Sequence, residues 1–237
     1  MSAGSEPAGP ATWTAVALSA DVPPGTPVPV ILDGRELVVW RGASGEARVW
    51  EDRCPHRGMR LSFGFVRGDA LACLYHGWRF GLDAGCTTIP AHPDLTPPKT
   101  LCAKAFAVAE AGGLVFTSGS AETPAGGPPE MGDATPVRSL DVAAPADRVR
   151  AALAAAGARF DGPVARIEAP GGLALVVALH GAEAGRTMVH VLADGPADRA
   201  ALLAAADWAM GLRHSVEAAE ASTTPNLAMT ARDAETQ

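Results

Sequence analysis

Short apolar runs separated by polar and turn-forming residues fill the first half of the chain. Pro, Gly and Asp residues lie between the runs, a spacing typical of antiparallel β-strands. Asp33-Gly34 and Gly112-Gly113 suit two-residue hairpin turns, which need positive φ. We therefore predict a mainly β domain over residues 12–117. Its predicted strands lie in the runs Val28–Leu32, Leu37–Trp40, Arg48–Trp50, Ala70–Leu74, Phe106–Ala109 and Leu114–Phe116.

The pattern changes in the second half of the chain. Val137–Val142 is typical of a strand, and Pro145 opens an Ala-rich helix that should end near Gly157. A second, longer helix should run from about residue 196 to residue 221. Three strand-like runs lie between the helices, at Pro163–Glu168, Leu173–Leu179 and Thr187–Ala193. This order predicts a small α+β domain, βαβββα, over residues 137–221.

The remaining segments have the composition of linkers and tails. Residues 118–136 are rich in Pro and Gly and poor in apolar side chains, so we predict a surface linker between the two domains. Residues 1–11 are small and polar and should form a disordered tail. Residues 222–237 should form a second disordered tail.

Composition and charge narrow the classes of function. A chain of 237 residues with 48% hydrophobic content can fill ordinary cores. No apolar run approaches the roughly 20 residues that a membrane helix needs, and we expect a cytoplasmic protein that does not act at a membrane. A formal net charge of −7 argues against a nucleic-acid partner.

The chemistry is concentrated in two short stretches that each hold one cysteine and one histidine. The first arm (residues 54–58) reads Cys54-Pro-His56-Arg-Gly, and the second arm (residues 73–78) reads Cys73-Leu-Tyr-His76-Gly-Trp. In a [2Fe–2S] cluster of the Rieske type, two cysteines hold one iron and two histidines hold the other. Each arm can therefore supply one ligand to each iron, and the glycines let the backbone turn close to the cluster. We predict a Rieske-type [2Fe–2S] cluster bound by Cys54, His56, Cys73 and His76.

A zinc site of Cys₂His₂ composition is the main alternative for these four residues. Zinc accepts the same ligand types in a tetrahedral arrangement. Zinc fingers usually place two cysteines together and then two histidines, whereas each arm here mixes the two types, which favours the cluster. The other two cysteines, Cys86 and Cys102, are expected to be reduced and partly buried, since nothing else indicates a disulfide-stapled domain.

With both arms in view, the sequence from Cys54 to Phe80, followed by Gly85-Cys-Thr-Thr-Ile-Pro90, resembles the Rieske domain of ring-hydroxylating oxygenases, particularly the vanillate O-demethylase type. The resemblance covers roughly residues 13–117. Respiratory Rieske proteins carry an extra cysteine in each loop, and Met59 and Tyr75 stand in those places here. The resemblance therefore implies a cluster of the oxygenase or ferredoxin type, which has a lower reduction potential than the respiratory type.

The resembled oxygenases also carry a mononuclear iron, held by two histidines and a carboxylate in a helix-grip domain. Their two histidines usually lie about five residues apart, and no such pair exists among the remaining His92, His180, His190 and His214. The second domain therefore has the character of a reduced helix-grip domain, and a mononuclear Fe(II) is not expected in this chain. The last helix does carry a stripe of residues on one face, shared with Leu203. Its members are Asp207, Met210, His214 and Glu217.

These features support three hypotheses of function. The leading one is an electron-transfer subunit of a heteromeric Rieske-type oxygenase, which receives electrons from a reductase or ferredoxin and passes them to a mononuclear iron in a partner chain. The expected assembly is a hetero-oligomer, with a trimer-based form among the alternatives, and no catalytic residue is assigned to this chain. The second hypothesis is a self-contained small monooxygenase or demethylase with an atypical iron site among Asp207, His190 and His214. The third is a zinc-stabilised assembly protein.

Overall fold

The structure is a computed structural model that describes residues 11–223. The predicted tail 1–11 thus lies outside the described residues except for Ala11, and the predicted tail 222–237 lies outside them from residue 224 onwards. Ser222 and Thr223 belong to the last helix, which ends two residues later than predicted.

Eleven short strands build the N-terminal domain, in three antiparallel sheets. Their bounds are β1 (Thr14–Leu18), β2 (Val28–Leu32), β3 (Arg35–Arg41), β4 (Ala47–Glu51), β5 (Phe65–Arg67), β6 (Ala70–Ala72), β7 (Arg79–Phe80), β8 (Cys86–Thr88), β9 (Ala105–Phe106), β10 (Val108–Ala111) and β11 (Leu114–Thr117). The sheet orders are β2-β3-β4-β9, β5-β6-β7-β8 and β1-β11-β10. Two 3-10 turns, Ser19–Asp21 and Leu61–Phe63, interrupt the strands.

Both predicted hairpin turns are present. Leu32 pairs with Arg35 across Asp33-Gly34, whose φ angles are 49° and 77°. The φ angles of the Gly112-Gly113 turn between β10 and β11 are 51° and 80°. Positive φ at both central residues matches the twist of the flanking strands, which is why such pairs mark hairpins.

The C-terminal domain is one antiparallel sheet with two helices on a single face. Its elements are β12 (Ala134–Val142), α1 (Ala146–Ala155), β13 (Arg159–Asp161), β14 (Val164–Ala169), β15 (Leu173–Gly181), β16 (Thr187–Asp194) and α2 (Arg199–Thr223). The strand order is β12-β16-β15-β14-β13. The predicted α+β class is confirmed, but the predicted order βαβββα lacks β13. That strand has three residues with one apolar side chain, Phe160, so it leaves no alternating pattern in the sequence.

The predicted linker is more closely packed than its composition indicates. Strand β12 begins at Ala134, three residues before the predicted domain start, because Ala134 pairs with Asp194 of β16. Pro124 is buried, and the indole Nε1 of Trp13 donates a hydrogen bond to the Gly126 carbonyl at 3.0 Å. The segment is thus attached to the N-terminal domain, and the boundaries 12–117, 118–136 and 137–221 stay predictions.

The two faces of the C-terminal sheet have different neighbours. Val177 and Val191 face α1 and α2 in one apolar cluster. Val176 and Leu192, on the alternate positions of the same strands, pack against β1 and β11 of the N-terminal domain, where Phe116 is fully buried. The alternation follows from the period of two along a strand. The sheet therefore separates its helices from the N-terminal domain.

Within residues 11–223, no helix is long and apolar enough to cross a membrane.

Candidate metal centre

Each arm is a tight loop closed on its own cysteine. The first arm follows β4, and the backbone N–H of Cys54 donates to the carbonyl of Met59 at 2.8 Å, while the N–H of Gly58 donates back to the carbonyl of Cys54 at 2.8 Å. Gly58 has φ +72°, a left-handed conformation that favours glycine. This pair of bonds turns the chain so that residues 55–57 form the tip of the loop.

The second arm repeats this arrangement between β6 and β7. The N–H of Cys73 donates to the carbonyl of Trp78 at 2.9 Å, and the N–H of Gly77 donates to the carbonyl of Cys73 at 3.0 Å. Gly77 has φ +69°, and a Cβ placed there would lie 3.1 Å from Cγ of Pro90. The two arms therefore present their cysteines in the same way, as two matching halves of one site.

The two thiols lie together in the apolar interior. Cys54 is 3% exposed and Cys73 is 2% exposed, and both are free cysteines in the same apolar cluster. Burial raises the pKa of the Cys54 thiol to about 11, and the backbone N–H groups of His56 and Arg57 lower it in part. A thiol in such a place becomes a thiolate only when a metal replaces its proton. The same N–H groups are placed to stabilise a sulfur that carries negative charge.

The two imidazoles lie on the outer side of the thiols. The ring centroids of His56 and His76 are 4.7 Å apart; His56 is half-buried and His76 is exposed. Trp78 stacks on His56 at 4.1 Å with an interplanar angle of 6°, and Tyr75 stacks on His76 at 3.8 Å. Burial, followed by the charges of neighbouring groups, lowers the pKa of His56. Each imidazole ring is therefore held against an aromatic face.

One buried nitrogen is left for a further bond. The Nδ1 atom of His56 is buried and has no hydrogen-bond partner in the part of the chain described here. An unpaired buried nitrogen costs about 1–3 kcal/mol unless something binds it. Across residues 11–223, no group of three or more His, Cys, Asp or Glu side chains surrounds a single ion. The residues form a thiol pair and an imidazole pair, which fits a binuclear cluster with one pair on each iron.

The first arm is supported by an aspartate that the sequence did not single out. Asp52 is 2% exposed and accepts hydrogen bonds from the backbone N–H and the hydroxyl of Ser62, at 2.6 and 2.5 Å. Its own N–H donates to the carbonyl of Glu36 on β3. Asp52 thus ties the start of the first arm to the segment that follows it. No motif marks this pair, since the two residues are ten positions apart with no repeat between them.

The alternative iron site of the sequence hypothesis is not assembled. His190 on β16 is buried on the face of the sheet towards the N-terminal domain, together with Leu192. Asp207 and His214 are exposed on α2, which packs against the other face. The sheet lies between His190 and the two helix residues, so these three side chains cannot share an ion in this conformation.

His190 instead belongs to a polar network between the domains. The Ser139 hydroxyl donates to the Asp21 carboxylate, so it accepts from Nδ1 of His190 at 2.9 Å. The ring of His180 lies 5.4 Å from that of His190, and its Nδ1 donates to the carbonyl of Ala15 on β1. The network connects the C-terminal sheet with the N-terminal domain.

This network predicts a stability that depends on pH. Burial lowers the pKa of His190 to about 3 and lowers that of His180, so both are neutral in the folded protein. The unfolded chain takes up protons below the ordinary value near 6.5, so stability is greatest above 6.5 and falls as the pH drops towards 3. His190 alone should lower the free energy of unfolding by about 2 kcal/mol between pH 7 and pH 5. Urea unfolding at both pH values checks this.

The control for that prediction removes one titrating group at a time. His190→Gln should flatten the pH dependence, whereas His214→Gln, at an exposed position on α2, should leave it unchanged. Equal pH profiles for the wild type and His190→Gln would contradict the assignment. Asp21 and Asp33 are the acidic groups nearest the two rings, through Ser139 and beside His180 respectively.

The two remaining cysteines are free thiols, as expected, but differ in exposure. Cys86 on β8 is half-buried, and burial raises the pKa of its thiol. Cys102 is exposed, which corrects the prediction of partial burial. It lies at an isolated bridge to Gly85, outside the named strands.

Comparison with known proteins agrees with this geometry. Residues 12–101 match the Rieske [2Fe-2S] domain family. The oxidoreductase NdmD of Pseudomonas putida is 40% identical over 107 residues, which are 45% of this chain and 18% of NdmD. The phthalate 4,5-dioxygenase oxygenase subunit of Pseudomonas putida is 36% identical over 110 residues, 44% of this chain and 24% of that protein. The matched region thus spans about a fifth of these curated relatives.

A solved structure shows the same fold over most of the chain. Pseudomonas putida CBB5 NdmA superposes with a TM-score of 0.63 and 18% sequence identity, over 87% of this chain and 81% of that one. The chain therefore contains a Rieske [2Fe-2S] domain with homologues among Rieske-type oxygenases. That domain implies a [2Fe–2S] cluster as the cofactor.

Proposed function

We propose that Cys54, His56, Cys73 and His76 bind the [2Fe–2S] cluster and that the chain transfers single electrons through it. The observation that carries the proposal is the sorting of the ligands, with two buried thiols in the interior and two imidazoles on the outside. Neutral imidazoles on one iron remove negative charge from the cluster, which places the potential at about −150 to +300 mV.

The residues around the cluster have separate tasks. The buried thiols would hold the inner iron away from water, where the N–H groups of the first arm could donate to sulfur. His76 is exposed, so the iron that it would hold would lie near the protein surface, where a partner's cofactor could approach it. Trp78 and Tyr75 cover the faces of the two rings and keep their orientation.

We further propose that the chain is an electron-transfer subunit of a heteromeric oxygenase. A reductase or ferredoxin would deliver electrons, and a partner chain would hold the mononuclear iron that uses them. The homologous oxygenase subunits support this role, and so does the separation of His190 from Asp207 and His214 across the sheet. A hetero-oligomer, trimer-based in one form, and a cytoplasmic location belong to the same proposal.

Iron and acid-labile sulfide, measured on anaerobically purified protein, test the cluster. We expect about two irons and about two sulfides per chain, with a red-brown colour. Zinc without sulfide would contradict the proposal and support the assembly protein. A third iron, with single-turnover product from the pure chain, would contradict the subunit role and support the self-contained oxygenase.

A further inference from the structure

The surface beside the outer imidazole is apolar and uncovered. Leu74 and Tyr75, which precede His76 at the tip of the second arm, are 55% and 56% exposed. Phe63 is equally exposed, at 56%, in the segment that follows the first arm. Large apolar side chains grouped at a surface mark places where proteins dock, with aromatic residues at the centre of the contact.

The charge of this region is opposite to that of the rest of the chain. Residues 53–79 contain five arginines and one aspartate, a net charge of +4 in a chain of −7, so all other residues together carry −11. Both arms lie within this stretch. A basic region on an acidic protein focuses its field on one side and attracts acidic partners to it.

Three of these arginines are available to a partner. Arg53, Arg57 and Arg79 are exposed and form no ion pair within residues 11–223. Arg60, by contrast, pairs with the carboxylate of Glu36. Exposed arginines without an internal partner are suited to pairing with carboxylates of another protein.

Two of them lie in or against the first arm, and the third lies at the end of the second arm in the sequence. The guanidinium of Arg53 lies beside Gly58, where a Cβ would be 3.2 Å from its Nε. The charge of Arg57 acts on the neighbouring His56. Arg79 directly follows Trp78, whose ring is stacked on His56.

We propose that this face, formed by Leu74, Tyr75, Arg53, Arg57 and Arg79, docks an acidic electron-donor protein. The inference rests on the proposed function, because it assigns a partner to the same cluster. The basic residues would speed the encounter, and the two apolar side chains would make the close contact next to His76. The donor loses one electron and the cluster gains it, with no bond formed or broken.

Stopped-flow reduction tests this docking face in the cluster-loaded full chain. The donor is a reduced plant-type [2Fe–2S] ferredoxin of strongly negative charge, whose potential near −400 mV drives the transfer. Its second-order rate constant should fall by about tenfold or more when ionic strength is raised from about 20 mM to about 300 mM. Arg57→Glu/Arg79→Glu should lower it by about 10- to 100-fold at low salt.

A matched variant separates local charge from net charge. Arg159→Glu/Arg199→Glu makes the same change in net charge at exposed positions of the C-terminal domain and should keep nearly the wild-type rate. Equal slowing by both double variants, or a rate independent of salt, would overturn the docking face. Photoreduction with 5-deazaflavin needs no docking. If it produces no reduced-cluster EPR signal in the wild type, the proposed function fails instead.

Discussion

Replacing Cys54 or Cys73 by serine is expected to abolish cluster binding. Iron and sulfide should fall to a few per cent of the wild-type content, and the visible absorption and the EPR signal of the reduced cluster should vanish. In the proposed centre each thiol would be one of two thiolate ligands to the inner iron, and a serine hydroxyl is a much poorer ligand for iron. The new hydroxyl would also lie in an apolar interior, 3% exposed at residue 54, which costs about 1–3 kcal/mol if it finds no partner.

The chain contains its own control for this prediction. Cys102→Ser changes the same atom at an exposed position outside the arms and should retain full iron, sulfide and absorption. Circular dichroism should show whether the Cys54 and Cys73 variants keep their β structure without the cluster. A Cys54→Ser protein with two sulfides and an unchanged spectrum would show that the ligand assignment is wrong.

The features that could be predicted from the sequence are formed by residues close together in the chain. The hairpin at Asp33-Gly34 depends on two adjacent residues and their φ angles, and the structure confirms it. The arms are also local, because each combines a cysteine, a histidine and a glycine within six positions. Spacing that short predicts the candidate ligands before the fold is known.

What could not be read from the sequence depends on distant contacts. The hydrogen bonds from Ser62 to Asp52 and the chain from Asp21 through Ser139 to His190 join residues with no pattern in common. The stripe on α2 was also misleading in one respect. Asp207 and His214 share a helical face, as predicted, but that face points to solvent, because the small residues on the other side pack on the sheet. Only the packing of the helix shows which face is buried.

The stacked rings show the same division between local and distant information. Tyr75 and Trp78 flank the second arm in the sequence, so their proximity to the centre was predictable. That Trp78 stacks on His56 of the other arm was not, since it follows from the way the two loops meet. This contact between the two arms indicates that the site is a single packed unit. A displacement of one loop should therefore displace the other.

Gly64→Ala is therefore expected to damage the centre from outside both arms. A Cβ at Gly64 would lie 2.1 Å from the carbonyl oxygen of Ala72 and 2.9 Å from that of Leu61. Ala72 directly precedes Cys73, so relieving the clash must displace backbone next to one of the two arms. Both colliding atoms belong to the backbone and cannot rotate aside, and we expect a loss of about 3 kcal/mol or more of stability together with most of the cluster.

Gly132→Ala is the control, because a Cβ there meets no atom within 4 Å and its φ is not positive. Iron content and thermal unfolding of the two variants, prepared in parallel, decide the outcome. Gly132→Ala should match the wild type in both measurements. If Gly64→Ala also bound a full cluster and unfolded at the wild-type temperature, the segment after the first arm would not fix the second. The separation of thiols from imidazoles would then depend on the hydrogen bonds within each loop alone.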